Sequence, residues 1–235
     1  MPQINPCHLE DIEADLAKSQ SDLSFVFHTC SGTNIGLVRT TNEDAFYVDE
    51  KKGLWLVADG MGGQLRGDKA SASVIDNIRS FTPLETLTES IKDLETRFLL
   101  ANNTCRNMYG KKVVGSTVAA LFAYRSLAIF LWAGDSRIYR LRDGVLALMT
   151  EDHCLAQERF RRGEISRDEA QLLPSANVLT RAIGIHQNLR IEMQSAVIQS
   201  GDRYLISSDG LYREFAFDEV QNMLRGNAPE KIQKK

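Results

Sequence analysis

Four short acidic stretches could do chemistry: Asn42-Glu43-Asp44, Asp59-Gly60, Gly134-Asp135-Ser136 and Ser208-Asp209-Gly210. Each sits where a strand should end. Taken singly, an Asp-Gly after an apolar run reads as a turn, and Asp143-Gly144 is read here as nothing more. Taken together they ask a different question. Several carboxylates gathered at one end of a sheet repel one another unless cations neutralise them. A set of oxygen ligands suits hard ions such as Mg2+ or Mn2+. The cysteines, Cys7, Cys30, Cys105 and Cys154, are spread without a CxxC pair, so a zinc knuckle or redox motif is not expected. His8, His28 and His186 show no ligand spacing, and His153 is read as structural.

The elements that must position these residues follow from hydrophobic periodicity. Residues 54–58 are a continuous apolar run that stops at Asp59-Gly60, a buried strand. Helical spacing governs 68–81 (Ala70, Val74, Ile75, Ile78) and 87–108, with Gly110 as a stop. The period then shortens. Residues 117–124, 127–133 and 137–141 read as strands, Asp143-Gly144 as a hairpin turn and 145–149 as the return strand. Two short helices are expected over 153–162 and 166–173, with Pro174 ending the second. Strands at 191–198 and 203–207 and an amphipathic helix at 217–224 complete the pattern. Residues 1–20 read as an N-terminal arm or short helix, and 21–235 as one domain. The order is α+β with mainly antiparallel sheets and outer helices. It lacks regular βαβ alternation and a GxGxxG motif.

Composition limits the function. The 235 residues carry a net charge of −3, with 43% hydrophobic and 25% charged residues, ordinary for a globular protein. Without an excess of Lys and Arg, binding nucleic acid by bulk charge is not expected. No apolar run is long enough to span a bilayer. Acidic residues occupy the place of a signal peptide's apolar core. The expectation is a cytoplasmic monomer with no membrane or nucleic-acid role.

The motifs also resemble a known family. Gly36 through Asp44 is similar to the G-x-V-R-x-x-N-E-D motif of the PP2C (PPM) family, metal-dependent protein serine/threonine phosphatases. Val57-Ala58-Asp59-Gly60-Met61-Gly62-Gly63 resembles its D-G-M-G-G motif, Gly115-Ser116-Thr117 its G-T/S-T strand and Ala133-Gly134-Asp135-Ser136-Arg137 its G-D-S-R motif. Thr150-Glu151-Asp152-His153, the stretch from Asn177 to Gly184 and Ser207-Ser208-Asp209-Gly210-Leu211 follow in the family's order. Each motif is weak alone; their order is what is specific. The resemblance implies a β-sandwich of two antiparallel sheets flanked by helical pairs, with a metal site at one end.

The resemblance also implies roles. Asp59 would bridge two Mn2+ or Mg2+ ions, with the Gly60 carbonyl and Glu43 on the second and Asp44 acting through water. Asp209 would bind the first ion and, with Asp135, a weaker third. Arg39 would grip the substrate phosphate, for which a guanidinium fork is better shaped than a lysine. The implied reaction is hydrolysis of phosphoserine and phosphothreonine by a metal-activated water, reversing a bacterial Ser/Thr kinase. The partners would be phosphorylated proteins, either the kinase or its signalling substrates. Two departures accompany the match. Gln64 follows D-G-M-G-G where bacterial relatives usually carry His, and no G-x-x-D-N-x-T motif follows Val220, so the closing strand is expected to be missing and the first ion weaker. An alternative therefore stays open: a catalytically weak or inactive module that binds phosphoproteins.

Overall fold

The computed structural model describes residues 9–18, 25–37, 39–62, 66–108, 110, 113–173, 176 and 178–226. In chain order these form α1 (Leu9–Lys18), β1 (Asp44–Asp49), β2 (Leu54–Met61), α2 (Gly67–Arg79), α3 (Leu87–Asn107), β3 (Gly115–Ser116), β4 (Val118–Tyr124) and β5 (Leu127–Ala133). There follow β6 (Arg137–Arg142), β7 (Val145–Leu148), α4 (Leu155–Arg161), α5 (Arg167–Leu172), β8 (Glu192–Val197), β9 (Arg203–Ser207), α6 (Asp209–Tyr212) and α7 (Phe217–Arg225). All pairings are antiparallel. One sheet runs β1-β2-β4-β5-β8 with β3 added to β2, and the second runs β7-β6-β9.

Strand parity builds the layers, because successive side chains leave a strand on opposite faces. Leu54, Leu56 and Ala58 of β2, Val118, Ala120 and Phe122 of β4, and Ile129 and Leu131 of β5 face one way. They pack with Val74 and Ile78 of α2 and Ile91, Leu94 and Phe98 of α3. The alternate residues Trp55, Ala119, Leu121, Phe130 and Trp132 face the other way, onto Ile138, Tyr204 and Ile206 of the second sheet. The outer face of that sheet, Tyr139, Leu141 and Leu146, is covered by Val220 and Leu224 of α7. Central strands buried on both faces explain why β2, β4 and β5 read as unbroken apolar runs. Fully burying each large side chain there contributes about 1.5–3 kcal/mol.

Helix ends agree with local chemistry. Thr86 caps α3 by accepting from the Glu89 N–H, and Ser166 with Glu169 forms a capping box on α5. The β6–β7 hairpin turns at Asp143-Gly144, both at positive φ, as a two-residue loop of this type requires. That dipeptide is only a turn, as expected.

The structure differs from the periodicity reading in three places. Strand β1 was not expected, because its residues, Asp44–Asp49, lack a clean apolar alternation. Thr117 leaves the ladder between β3 and β4 instead of opening a strand. Asp209 opens a single helical turn, α6, rather than resting in a plain turn. Of the N-terminal arm, α1 lies against the domain. Leu9 is buried, and the Glu13 carboxylate accepts from the Leu87 N–H at 2.8 Å and the Thr88 hydroxyl at 2.7 Å. Among the described residues no helix is long and apolar enough to cross a membrane.

Candidate active site

Parity also aims the carboxylates. Asp59 continues the β2 face that carries Trp55, so it points between the two sheets. Asp44 stands directly across from it in the β1–β2 ladder. Asp135 lies in the turn that carries the chain from β5 in the first sheet to β6 in the second. Asp209 follows the C-terminal end of β9, whose Ser207 pairs with Arg137 at the start of β6. Four carboxylates from distant parts of the chain therefore meet at one end of the sandwich. The charges of Asp44, Asp209 and Asp135 all act on Asp59. Ser208 donates its hydroxyl to Asp44 Oδ2 at 2.7 Å.

Their electrostatics show an excess of negative charge. Burial pushes the Asp59 carboxyl up to about 8, helped by the charges of Asp44, Asp209 and Asp135. Burial also raises Asp135 to about 6, with Asp209 and Asp152 adding to it. Asp44 is raised by burial and by Asp209. A guanidinium reaches the edge of the cluster: Arg213 Nη2 is 2.8 Å from Asp209 Oδ2 and 3.9 Å from Asp135 Oδ2. The donor set is all oxygen and under-neutralised, which fits hard divalent cations. As they stand, no three His, Cys, Asp or Glu side chains among the described residues form a ready-made metal cage. The carboxylates are instead engaged with one another, with Ser208 and with Arg213.

The remaining expected site residues fall into distinct places. Glu43 reaches the start of α2. Its Oε1 accepts from the Gly67 N–H at the start of that helix (2.9 Å), and its backbone oxygen accepts from the Gly60 N–H (3.0 Å). A carboxylate at a helix N-terminus is favoured by the orphan N–H groups and the dipole there. Gly60 is buried in β2 with the Gly67 backbone pressed against it, so a Cβ at Gly60 would collide with main chain. Arg39 is exposed on the loop leading into β1. Gly63, Gln64 and residues 227–235 lie outside the described residues.

Sequence reasoning missed the residues that hold these carboxylates in place. Arg137 makes two hydrogen bonds to Asp152 (2.7 and 3.0 Å) and lies 3.6 Å from the centre of the Tyr212 ring. Tyr212 in turn donates its hydroxyl to the Asp135 carbonyl at 3.0 Å. His153 Nδ1 accepts from the Gly134 N–H at 3.1 Å, which leaves the ring hydrogen on Nε2, 3.5 Å from Glu192 Oε2. His153 is structural, as expected, but it braces the turn that carries Asp135. The motif positions were visible in the sequence; their cross-chain contacts carried no local signal.

Comparisons with known proteins give the family and the fold. The sequence matches the protein phosphatase 2C family over residues 37–234. The chain is 32% identical over 207 residues to the serine/threonine phosphatase stp of Listeria monocytogenes, covering 82% of this chain and 81% of the relative. Among solved structures it resembles PppA, described as a key regulatory component of T6SS in Pseudomonas aeruginosa. That likeness is at 37% identity and a TM-score of 0.76, with 83% of each chain covered. It also resembles the catalytic domain of the phosphatase PstP in complex with two manganese ions, at 28% identity and a TM-score of 0.70, covering 83% of this chain and 82% of that one. The fold and the acidic end of the sandwich define a metal-dependent phosphatase class, and the chain belongs to the protein phosphatase 2C family.

Proposed function

We propose that this protein hydrolyses phosphoserine and phosphothreonine in phosphorylated proteins, opposing a Ser/Thr kinase, as a cytoplasmic monomer. The observation that carries the proposal is the convergence of Asp44, Asp59, Asp135 and Asp209, with Asp59 pushed up to about 8 by burial and its three acidic neighbours. Asp59, Asp44, Asp209 and the Gly60 carbonyl would hold two Mn2+ or Mg2+ ions, and Asp135 with Asp209 a weaker third. Glu43 would serve the second ion from its post on α2. When bound, such ions supply Lewis acidity, drawing charge from phosphoryl oxygens and making water a nucleophile at neutral pH. Phosphate-monoester hydrolysis calls for that help, since enzymes accelerate it up to ~10²¹-fold.

The chain's own groups would do the rest. Arg39, exposed on its loop, offers forked donors to phosphate oxygens. Ser208 orients Asp44 by donating to Oδ2. Residues 21–235 form the phosphatase domain in this reading, with 1–20 as an arm whose helix α1 lies against α3.

A second reading is a weak or inactive phosphoprotein-binding module. It is supported by the carboxylates' present engagement with one another and with Arg213. Hydrolysis of a phosphothreonine peptide, titrated with Mn2+ and reversed by EDTA, separates the two. Metal-dependent turnover that disappears in Asp59→Asn supports the phosphatase. Mn2+ binding by calorimetry without turnover supports the module.

A further inference from the structure

The Gly115-Ser116-Thr117 motif has no role in the reading above, yet it touches the backbone of Asp59 on both sides. Asp59 N–H donates to Thr117 Oγ1 at 3.0 Å rather than to a ladder carbonyl. The Asp59 carbonyl accepts from Thr117 N–H at 2.8 Å and from the Ser116 hydroxyl at 3.1 Å. Thr117 also reaches the other sheet's approach. Its hydroxyl lies 2.6 Å from Ser136 Oγ, the residue after Asp135. Its side chain packs so tightly on Gly134 (φ 118°) that a Cβ there would sit 2.7 Å from Thr117 Cβ and Cγ2. Ser116, Thr117 and Ser136 are all buried.

The chemistry is specific to a hydroxyl. Thr117 Oγ1 accepts from Asp59 N–H and still has a hydrogen and a second lone pair to share with Ser136. A buried N–H left without an acceptor is costly, so the bond is held. The methyl fills the space against Gly134. One side chain thus fixes the backbone of a carboxylate on the first sheet and the turn bearing a carboxylate between the sheets.

We propose that Thr117 is a positioning residue that sets the spacing of Asp59 and Asp135 through its hydroxyl, with Ser136 as its partner. The proposal rests on the phosphatase reading only for its consequence, the affinity for divalent cations. Groups that orient metal ligands from outside are worth about 10–100-fold in metal affinity.

The test compares Thr117→Val, which keeps the shape and loses the hydroxyl, with Thr117→Ser, which keeps the hydroxyl. In the metal-free protein, amide hydrogen exchange of Asp59 is expected to quicken about fivefold in Thr117→Val, the measure of one lost net hydrogen bond, and to stay near wild type in Thr117→Ser. In calorimetry, Mn2+ affinity should fall by about 10–100-fold in Thr117→Val and recover in Thr117→Ser. Ser136→Ala added to Thr117→Val should cost less than the two changes made separately. Unchanged Asp59 exchange in Thr117→Val overturns the proposal. So does an equal Mn2+ loss in the Val and Ser variants, which would make the role one of packing. If Thr117→Val does not fold, Ser136→Ala decides alone: wild-type Asp59 exchange and Mn2+ affinity in that variant would overturn the proposal. If wild-type protein binds no Mn2+, the metal-dependent phosphatase reading fails, while the exchange measurement still decides what Thr117 does.

Discussion

Two acidic groups of the first sheet, Glu192 on β8 and Asp59 on β2, behave in opposite ways. Glu192 on β8 has Arg181 at 2.8 Å and His153 at 3.5 Å. Although burial pushes its carboxyl up, bonds from His153 and Arg181 outweigh that and hold it down at about 2. Asp59 on β2 has burial and three acidic neighbours, and its carboxyl rises to about 8. One cluster is neutralised from within the chain. The other is left under-neutralised, the pattern that favours a divalent cation in the proposed reading. The contrast lies in the neighbours: cations beside Glu192, carboxylates beside Asp59.

The contrast is broken most severely at Asp59 itself. Asp59→Asn should lower Mn2+-dependent phosphatase turnover by more than about a thousandfold, beyond the cost of removing one electrostatic donor. In the metal-free protein the same change relieves repulsion, so thermal denaturation should show a higher Tm, about 2–4 °C per kcal/mol relieved. A variant that loses neither turnover nor repulsion would erase the distinction. Wild-type protein should gain stability on Mn2+ addition, about 2.7 kcal/mol at a hundredfold excess over Kd. EDTA should remove that gain, and Asp59→Asn should not show it.

At the neutralised cluster the expected effects are on stability. Glu192→Gln leaves Arg181 without its counter-charge and should cost roughly 3 kcal/mol, the low end for breaking a buried pair, read by urea unfolding at neutral pH. The pH dependence sharpens this. The folded Glu192 carboxyl titrates below its ordinary range, so its contribution is complete above about 4.5 and is lost as pH falls toward about 2. The stability gap between wild type and Glu192→Gln should therefore close over that interval. A gap that stays constant would mean the carboxylate's charge is not what stabilises. The smallest effect lies away from both clusters: Glu13→Ala, which removes the acceptor for Leu87 N–H and Thr88, should cost about 1 kcal/mol and leave Mn2+ affinity unchanged.

The elements built on apolar runs were legible because each run had only one way to be buried. Residues 54–58, 117–124 and 127–133 became the central strands β2, β4 and β5, and helical spacing marked α2 and α3. Strand β1 was not legible. Its Asp44 and Asp49 look like loop residues until the pairing with β2 supplies their context. Among site residues, Asp44, Asp59, Asp135 and Asp209 were named from their motifs and do converge. Glu43 was named as a ligand of the second ion; its carboxylate accepts from the Gly67 N–H at the start of α2, against which the Gly60 carbonyl also lies. A carboxylate next to a glycine-led helix start has two good uses, and residue type alone does not choose between them.

Sequence alone determined the class. Periodicity, a local property, gave α+β with antiparallel sheets, and the resemblance of seven motifs in order implied the sandwich and its acidic end. Tertiary structure decided how charge is settled there. Whether a carboxylate meets Arg181, Ser208, Gly67 or three other aspartates depends on which strand ends the fold brings together, and Coulomb and desolvation energies depend on those distances.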